Sequence, residues 1–272
     1  MLFSFDIIYI TKQRVIIMKS YQLLSCAASL MLSVAHLSYA MPDGNMRGGG
    51  QGCIDVDTVV GDFPVQALST SEIEGLLYMR GEEKLARDVY FTLGKQWQLP
   101  IFGNIANSEQ RHTSAIKVIL EKYQIADPYS RQDTVGVFYH REFINLYQQL
   151  VANGKQSLVA ALQVGATIED LDIVDLEKML ATTDNLDVKF VYQNLMRGSR
   201  NHLRSFVELL SRNNGSYTPQ YLNAEAYQAI INSPKERGWV SDDNGGMGVI
   251  CDHDGMGMRG GKGNGRGWHG GR

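Results

Sequence analysis

Apolar residues recur at three- and four-residue spacing through most of residues 71–232, and the pattern predicts a chain of helices. Ser69 with Glu72 has the form of a capping box, and Ile73, Leu76, Leu77, Leu85, Val89 and Leu93 then mark one face of a helix over 71–97. Leu99-Pro100 ends it, because proline disfavours helical geometry at the residue before it. A second helix is predicted over about 104–124, with Ile105, Ile116, Ile119 and Leu120 inward, closed by Asp127-Pro128. Residues 129–140 read as a connection and 142–152 as a short helix ending at Asn153-Gly154. Two long helices follow over 156–181 and 186–212, the latter capped near Asp184 or Asn185 and stopped by Asn213-Asn214-Gly215. Tyr217-Thr218-Pro219 leads into a last short helix over 223–232. Strand-like alternation is not evident.

Four long helices with the longest connection in the middle predict an all-α, four-helix bundle of two helical hairpins joined by a crossover, with short extra helices. This folded part spans 69–233. It is preceded by a segment, 41–68, that begins Gly-rich and is expected to be flexible. The tail, 234–272, is expected to be disordered, since a Gly-rich stretch cannot bury enough apolar surface to offset its chain entropy. His253 and His269 in the tail read as solvated rather than as ligands.

Residues 18–40 carry one Lys, an apolar run from Leu23 to Leu37 and a small-x-small ending at Ser38-Tyr39-Ala40, the form of a secretory signal peptide. Residues 1–40 are therefore set apart, with Met18 as an alternative start. The expected location is the periplasm or the exterior, with no integral membrane span after signal cleavage. Anchoring as a lipoprotein at Cys26 is the less favoured alternative. Cys53 and Cys251 remain in the exported chain, and the sequence leaves open whether they are bonded or free. The net charge of −3 gives no reason to expect nucleic-acid binding.

Each long helix carries polar residues where its apolar stripe would continue. These are Glu82 and Glu83 on the first, Glu109 and His112 on the second, Glu169 and Asp172 on the third, and Ser199 and His202 on the fourth. A spacing of three places both members of a pair on one helix face. Residues 69–233 hold three histidines, and two of them, His112 and His202, occupy matching places. One Glu-x-x-His pair means little by itself. Carboxylates and imidazoles from four helices of one bundle, however, suit two iron or manganese ions bridged by Glu.

The stretches GEEKLARDVYFTL, FGNIANSEQRH, SLVAALQVGATIEDLDIVDLEKML and NLMRGSRNHLRSF resemble a ferritin-like family of bacteria and archaea known as domain of unknown function 2202, over about residues 70–222. The wider superfamily, which includes rubrerythrins and bacterioferritins, implies a di-iron centre that reacts with dioxygen or peroxide. The resemblance assigns Glu83, rather than an exposed Glu82, as a terminal ligand, from its similarity to the rubrerythrin first-helix phrase. It assigns Glu109 as a bridge, His112 as a ligand to one metal, and Glu169 and His202 as the corresponding residues of the second hairpin. Ser199 stands where a second bridging Glu belongs, and Asp172, one turn from Glu169, is the candidate to replace it.

Tyr78, Tyr90 and Tyr192 are placed near the site, where tyrosines can carry electrons, but read first as core packing, and Arg87 and Arg204 read as partners of nearby carboxylates or surface residues. The implied cofactor is iron, two ions per chain, with manganese as the alternative. The implied partner is a small-molecule oxidant or a metal ion, with the electron donor unassigned and a homodimer compatible with the reading. The implied activity is an oxidoreductase of peroxidase or ferroxidase type. The rival is a helical binding or structural module whose metal site has degenerated.

Overall fold

A computed structural model describes residues 56–240 and 247–248. The expectations for the signal peptide, Cys26, Cys53, Cys251, His253 and His269 fall outside the described residues.

The structure is all-α in character. Its helices are α1 (Val56–Asp62), α2 (Thr70–Trp97), α3 (Pro100–Lys122), α4 (Arg141–Gly154), α5 (Leu158–Leu180), α6 (Leu186–Arg212) and α7 (Ala224–Asn232). A two-residue antiparallel ladder pairs Trp239–Val240 with Met247–Gly248. Helix α1 was not anticipated, because seven residues after a Gly-rich stretch show too little periodicity to be read as a helix.

The start of α2 is fixed by the Ser69 box: the Ser69 hydroxyl accepts from the Glu72 amide, and the Glu72 carboxylate accepts from the Ser69 amide. Helix α3 begins at Pro100, earlier than the sequence pattern placed it. Proline fits the first turn of a helix, where its missing N–H costs no hydrogen bond. The two-residue link between α2 and α3 forces them into an antiparallel hairpin, and α5 and α6 form a second. The hairpins meet through α3 against α6 and α2 against α5, while α4 lies across α2 and α5.

The connection 123–140 is pinned along the outer face of α2. Arg80 pairs with Asp127 at 3.0 Å, the Lys84 ammonium donates to Asp88 and to the Thr134 carbonyl, and Arg87 binds Asp133 through both terminal nitrogens. Gly136 lets the strap turn: its φ is +79°, and a Cβ there would meet the Tyr147 ring at 2.9 Å. With the strap and α4 in place, every residue from Met79 to Tyr90 is buried. This corrects one expectation. Glu82 is buried, not exposed: its charge bears on Asp172 of α5, so its flank of α2 is turned toward the facing hairpin and not toward solvent.

Apolar packing falls into two clusters. One includes Leu76, Met79, Ile116, Ile119, Leu176, Val191 and Leu195; the other includes Leu85, Val89, Phe102, Ile105, Leu162, Leu203 and Phe206. On all four long helices the polar positions Glu83, Glu109, His112, Glu169 and His202 fall between them. The polar layer thus sits at mid-height, sealed above and below by hydrocarbon.

After α6 the chain is tied back to the hairpins at two points. Asp170 accepts from the Tyr217 hydroxyl and from the amides of Gln220, Tyr221 and Leu222. Glu236 pairs with Arg200 and Arg204 on α6.

Candidate metal centre

Helical spacing and helix pairing together assemble the layer. Glu109 and His112, three apart on α3, face Glu83 of α2; Glu169 of α5 faces His202 of α6. The His112 Nδ1 atom lies 2.6 Å from Glu109 Oε2 and 3.1 Å from Glu83 Oε2. The His202 Nδ1 atom lies 2.8 Å from Glu109 Oε1 and 3.3 Å from Glu169 Oε2. Two groups result, Glu83–Glu109–His112 and Glu109–Glu169–His202, in each of which the potential donor atoms lie within 4.8 Å of one another. Glu109 belongs to both, one carboxylate oxygen facing each imidazole.

All five residues are buried; the glutamates are 1% exposed, and the two histidines, at 8–9%, are the most open members. Gly198 of α6 accommodates the far edge of the His112 ring, since a Cβ there would lie 2.5 Å from Nε2. This leaves Nδ1 as the nitrogen turned to the carboxylates. Tyr90 donates to Glu169 Oε1 at 2.5 Å and so holds the oxygen that His202 does not face.

The electrostatics follow from burial and crowding. Burial acts to raise Glu109, but the flanking His112 and His202 outweigh it and hold this carboxyl well below its usual range. Burial raises Glu83 to about 8, with His112 opposing and Glu109 adding like-charge repulsion. Glu169 is raised chiefly by burial, against the pull of His202. Burial, then the neighbouring carboxylates of Glu83, Glu82 and Glu169, push Asp172 well above the carboxylate range. Burial disfavours charge on the imidazoles too, yet the carboxylates around them win, lifting His202 to about 9 and His112 well above its ordinary value. One ionised carboxylate therefore stands among others driven toward their neutral forms, an arrangement that a bound cation would relieve.

Several buried polar atoms here make no hydrogen bond: Glu83 Oε1, Glu109 Oε1, Asp172 Oδ1 and His202 Nδ1. Glu109 Oε1 and His202 Nδ1 are close yet not aligned to share a proton, so both remain available to a third atom between them. The buried Glu and His groups can hold a metal ion.

The other singled-out residues fall as follows. Asp172 lies beside the layer, accepting a short hydrogen bond from the Ser199 hydroxyl, and belongs to neither three-residue group. Arg87 and Arg204 pair with carboxylates, with Asp88 and Asp133 and with Glu236 respectively. Tyr192 is a core residue, and Tyr78 packs on Phe143. Tyr90 is more than packing. Its position seven residues after Glu83, two turns along the same face, was the available signal, but only the fold shows that it reaches Glu169.

Residues 72–234 match the family model described as uncharacterized protein domain DUF2202. The chain belongs to that family. It is 56% identical over 179 residues to the uncharacterized protein MJ0754 of Methanocaldococcus jannaschii, an alignment covering 66% of this chain and 96% of that protein. The crystal structure of the hypothetical protein MJ0754 superposes with a TM-score of 0.63 at 56% identity, covering 64% of this chain and 99% of the other. Among the described residues no helix is long and apolar enough to cross a membrane.

Proposed function

We propose that this DUF2202 chain is an exported ferritin-like metalloprotein whose mid-height layer holds two iron or manganese ions for oxidoreductase chemistry with peroxide, dioxygen or ferrous iron. Glu109 carries the reading. A carboxylate whose two oxygens each face a different imidazole has the form of a bridge between two cations, with Glu83 and His112 completing one position and Glu169 and His202 the other. The two hairpins, joined by a long connection over 123–157 that includes α4, support the ferritin-like assignment. Oxygen donors with two imidazoles favour iron or manganese over structural zinc, which takes closed sites rich in Cys and His.

A bound pair of such ions would supply the redox electrons. The chain's own contribution is to fix the donors and exclude water. Tyr90 orients Glu169, Gly198 seats His112, and the two apolar clusters seal the layer. Export rests on the pattern of residues 18–40. The rival, a helical module with a degenerate site, draws on Ser199 and predicts no dependence on metal.

The deciding experiment is anaerobic reconstitution of the exported chain with ferrous ion, desalting and elemental analysis. Two ions per chain are expected, with both lost in His112→Ala/His202→Ala. A folded chain that retains no metal overturns the proposal. Mixing the iron-loaded protein with peroxide or dioxygen should give ferric absorbance faster than free iron does, and equal rates would remove the oxidoreductase part alone.

A further inference from the structure

Ser199 precedes His202 by three residues, as Glu109 precedes His112, so it occupies on α6 the place that Glu109 occupies on α3. A serine there cannot bridge two cations from its own helix. It is fully buried, and its hydroxyl is directed at Asp172 Oδ2 of α5, with the Leu195 carbonyl also 3.1 Å away. A serine hydroxyl has a single proton, and the carboxylate is the stronger acceptor.

Asp172 is 5% exposed, shares the inner face of α5 with Glu169, and leaves Oδ1 buried without a hydrogen-bond partner. The charged groups that bear on it most are the carboxylates of Glu83, Glu82 and Glu169. One hydrogen bond from serine does not offset the cost of burying a carboxylate among others; a cation at Oδ1 would.

We propose that Asp172 is a further protein ligand of the layer, taking the bridging position from α5 that Ser199 leaves vacant on α6, with Ser199 as its positioning residue. The inference rests on the two-ion reading above and deepens it. Where a glutamate would span the distance from α6 alone, the task is divided: α5 supplies the carboxylate and α6 the hydroxyl that fixes its rotamer. The two ions would then be bridged by unlike groups, Glu109 on one side and Asp172 on the other, and the second ion would depend on a hydrogen bond the first does not need.

The test uses the full exported chain, titrated anaerobically with manganous ion. Retained metal is measured by elemental analysis, and coupling between ions by electron paramagnetic resonance. Wild type is expected to bind two coupled ions. Asp172→Asn should abolish the coupling and weaken the second binding step by more than the roughly 10–100-fold by which metal sites respond to loss of a supporting group alone. Ser199→Ala should weaken the same step by less, and Ser199→Thr, which keeps the hydroxyl, should not. Asp172→Asn/Ser199→Glu should restore both ions by returning the carboxylate to α6.

A folded Asp172→Asn chain that binds two coupled ions with unchanged affinity overturns the Asp172 assignment and leaves the five-residue site standing. A wild type that binds no ion overturns both. If Asp172→Asn does not fold, the double variant decides: failure of that folded variant to hold the second ion overturns the proposal.

Discussion

The imidazoles of His112 and His202 lie nearly parallel, ring centroids 5.6 Å apart and planes 26° apart, one from each hairpin. Glu109 explains why two rings with raised proton affinity stay so close, because it offers a carboxylate oxygen to each. The interface between the hairpins is therefore polar at its centre and apolar on either side. Its geometry depends on a few buried groups, each open to perturbation by itself.

Gly198→Ala isolates the seat of His112. An added methyl would lie 2.5 Å from Nε2 and 2.7 Å from Cε1 of that ring, and the imidazole must move. Helix α6 gains a better helix former, so the backbone is not the source of the cost. Overpacking of this kind costs about 1–3 kcal/mol. The expected outcome is a folded protein with a modestly lower melting temperature and clearly weaker metal retention. Unchanged retention would show that the ring's placement does not matter to binding.

Tyr90→Phe keeps the ring that packs 5.3 Å from Phe206 and removes only the hydroxyl on Glu169. A buried carboxylate oxygen that loses its donor costs about 1–3 kcal/mol. In a domain of this size that corresponds to a fall of roughly 2–4 °C per kcal/mol, measurable by thermal unfolding monitored by circular dichroism. A melting temperature equal to wild type would mean that Glu169 finds another donor.

Local signals carried much of this architecture and failed where cover comes from afar. The Ser69–Glu72 box and the Asn213-Asn214-Gly215 stop lie within a few residues of the ends they set, so the sequence states them directly. Glu82 reads as outward from α2 alone, and its burial follows only when α5, remote in sequence, brings Asp172 near it. The meeting of Glu109, His112, Glu169 and His202 could be anticipated from matched spacings, whereas spacing left Glu82 and Glu83 both open and only the resemblance to the rubrerythrin first-helix phrase favoured Glu83. The Ser199–Asp172 hydrogen bond could not, since Ser199 read only as a missing glutamate and its partner lies on another helix. Tyr90 is legible as a core aromatic, and its hydroxyl gains meaning only when α5 is placed beside α2.

Glu72 provides a pH test remote from the metal layer. Burial acts to raise its carboxyl, but hydrogen bonds from Thr183, the Ser69 amide, Asn185 and the Ser69 hydroxyl prevail and hold it at about 2, down from 4.5. A carboxyl depressed on folding contributes stability that is present above 4.5 and lost as pH falls toward 2. Glu72→Gln should therefore cost about 1–3 kcal/mol at neutral pH, the range for charge-assisted hydrogen bonds and caps. The gap between variant and wild type should close across that acidic window in urea unfolding at stepped pH. A gap independent of pH would assign the effect to packing instead of charge.

Metal linkage offers the most direct discrimination between a working site and a degenerate one. Without a cation, the carboxylates of the layer repel one another and burial drives several toward protonation, so the fold bears an electrostatic cost. An ion that binds only the folded chain stabilises it by RT ln(1 + [L]/Kd), about 2.7 kcal/mol at a hundredfold excess over Kd. At roughly 2–4 °C per kcal/mol this is a rise of several degrees. Ferrous or manganous ion is expected to raise the melting temperature of chain first stripped of metal. Glu109→Gln should remove most of the rise, because Glu109 is shared by both positions, whereas Glu83→Gln should remove less. Magnesium at the same concentration serves as the control for ionic strength, since it holds its water tightly and prefers oxygen-only sites. A melting curve indifferent to ferrous and manganous ion alike would favour the structural module over the metalloprotein.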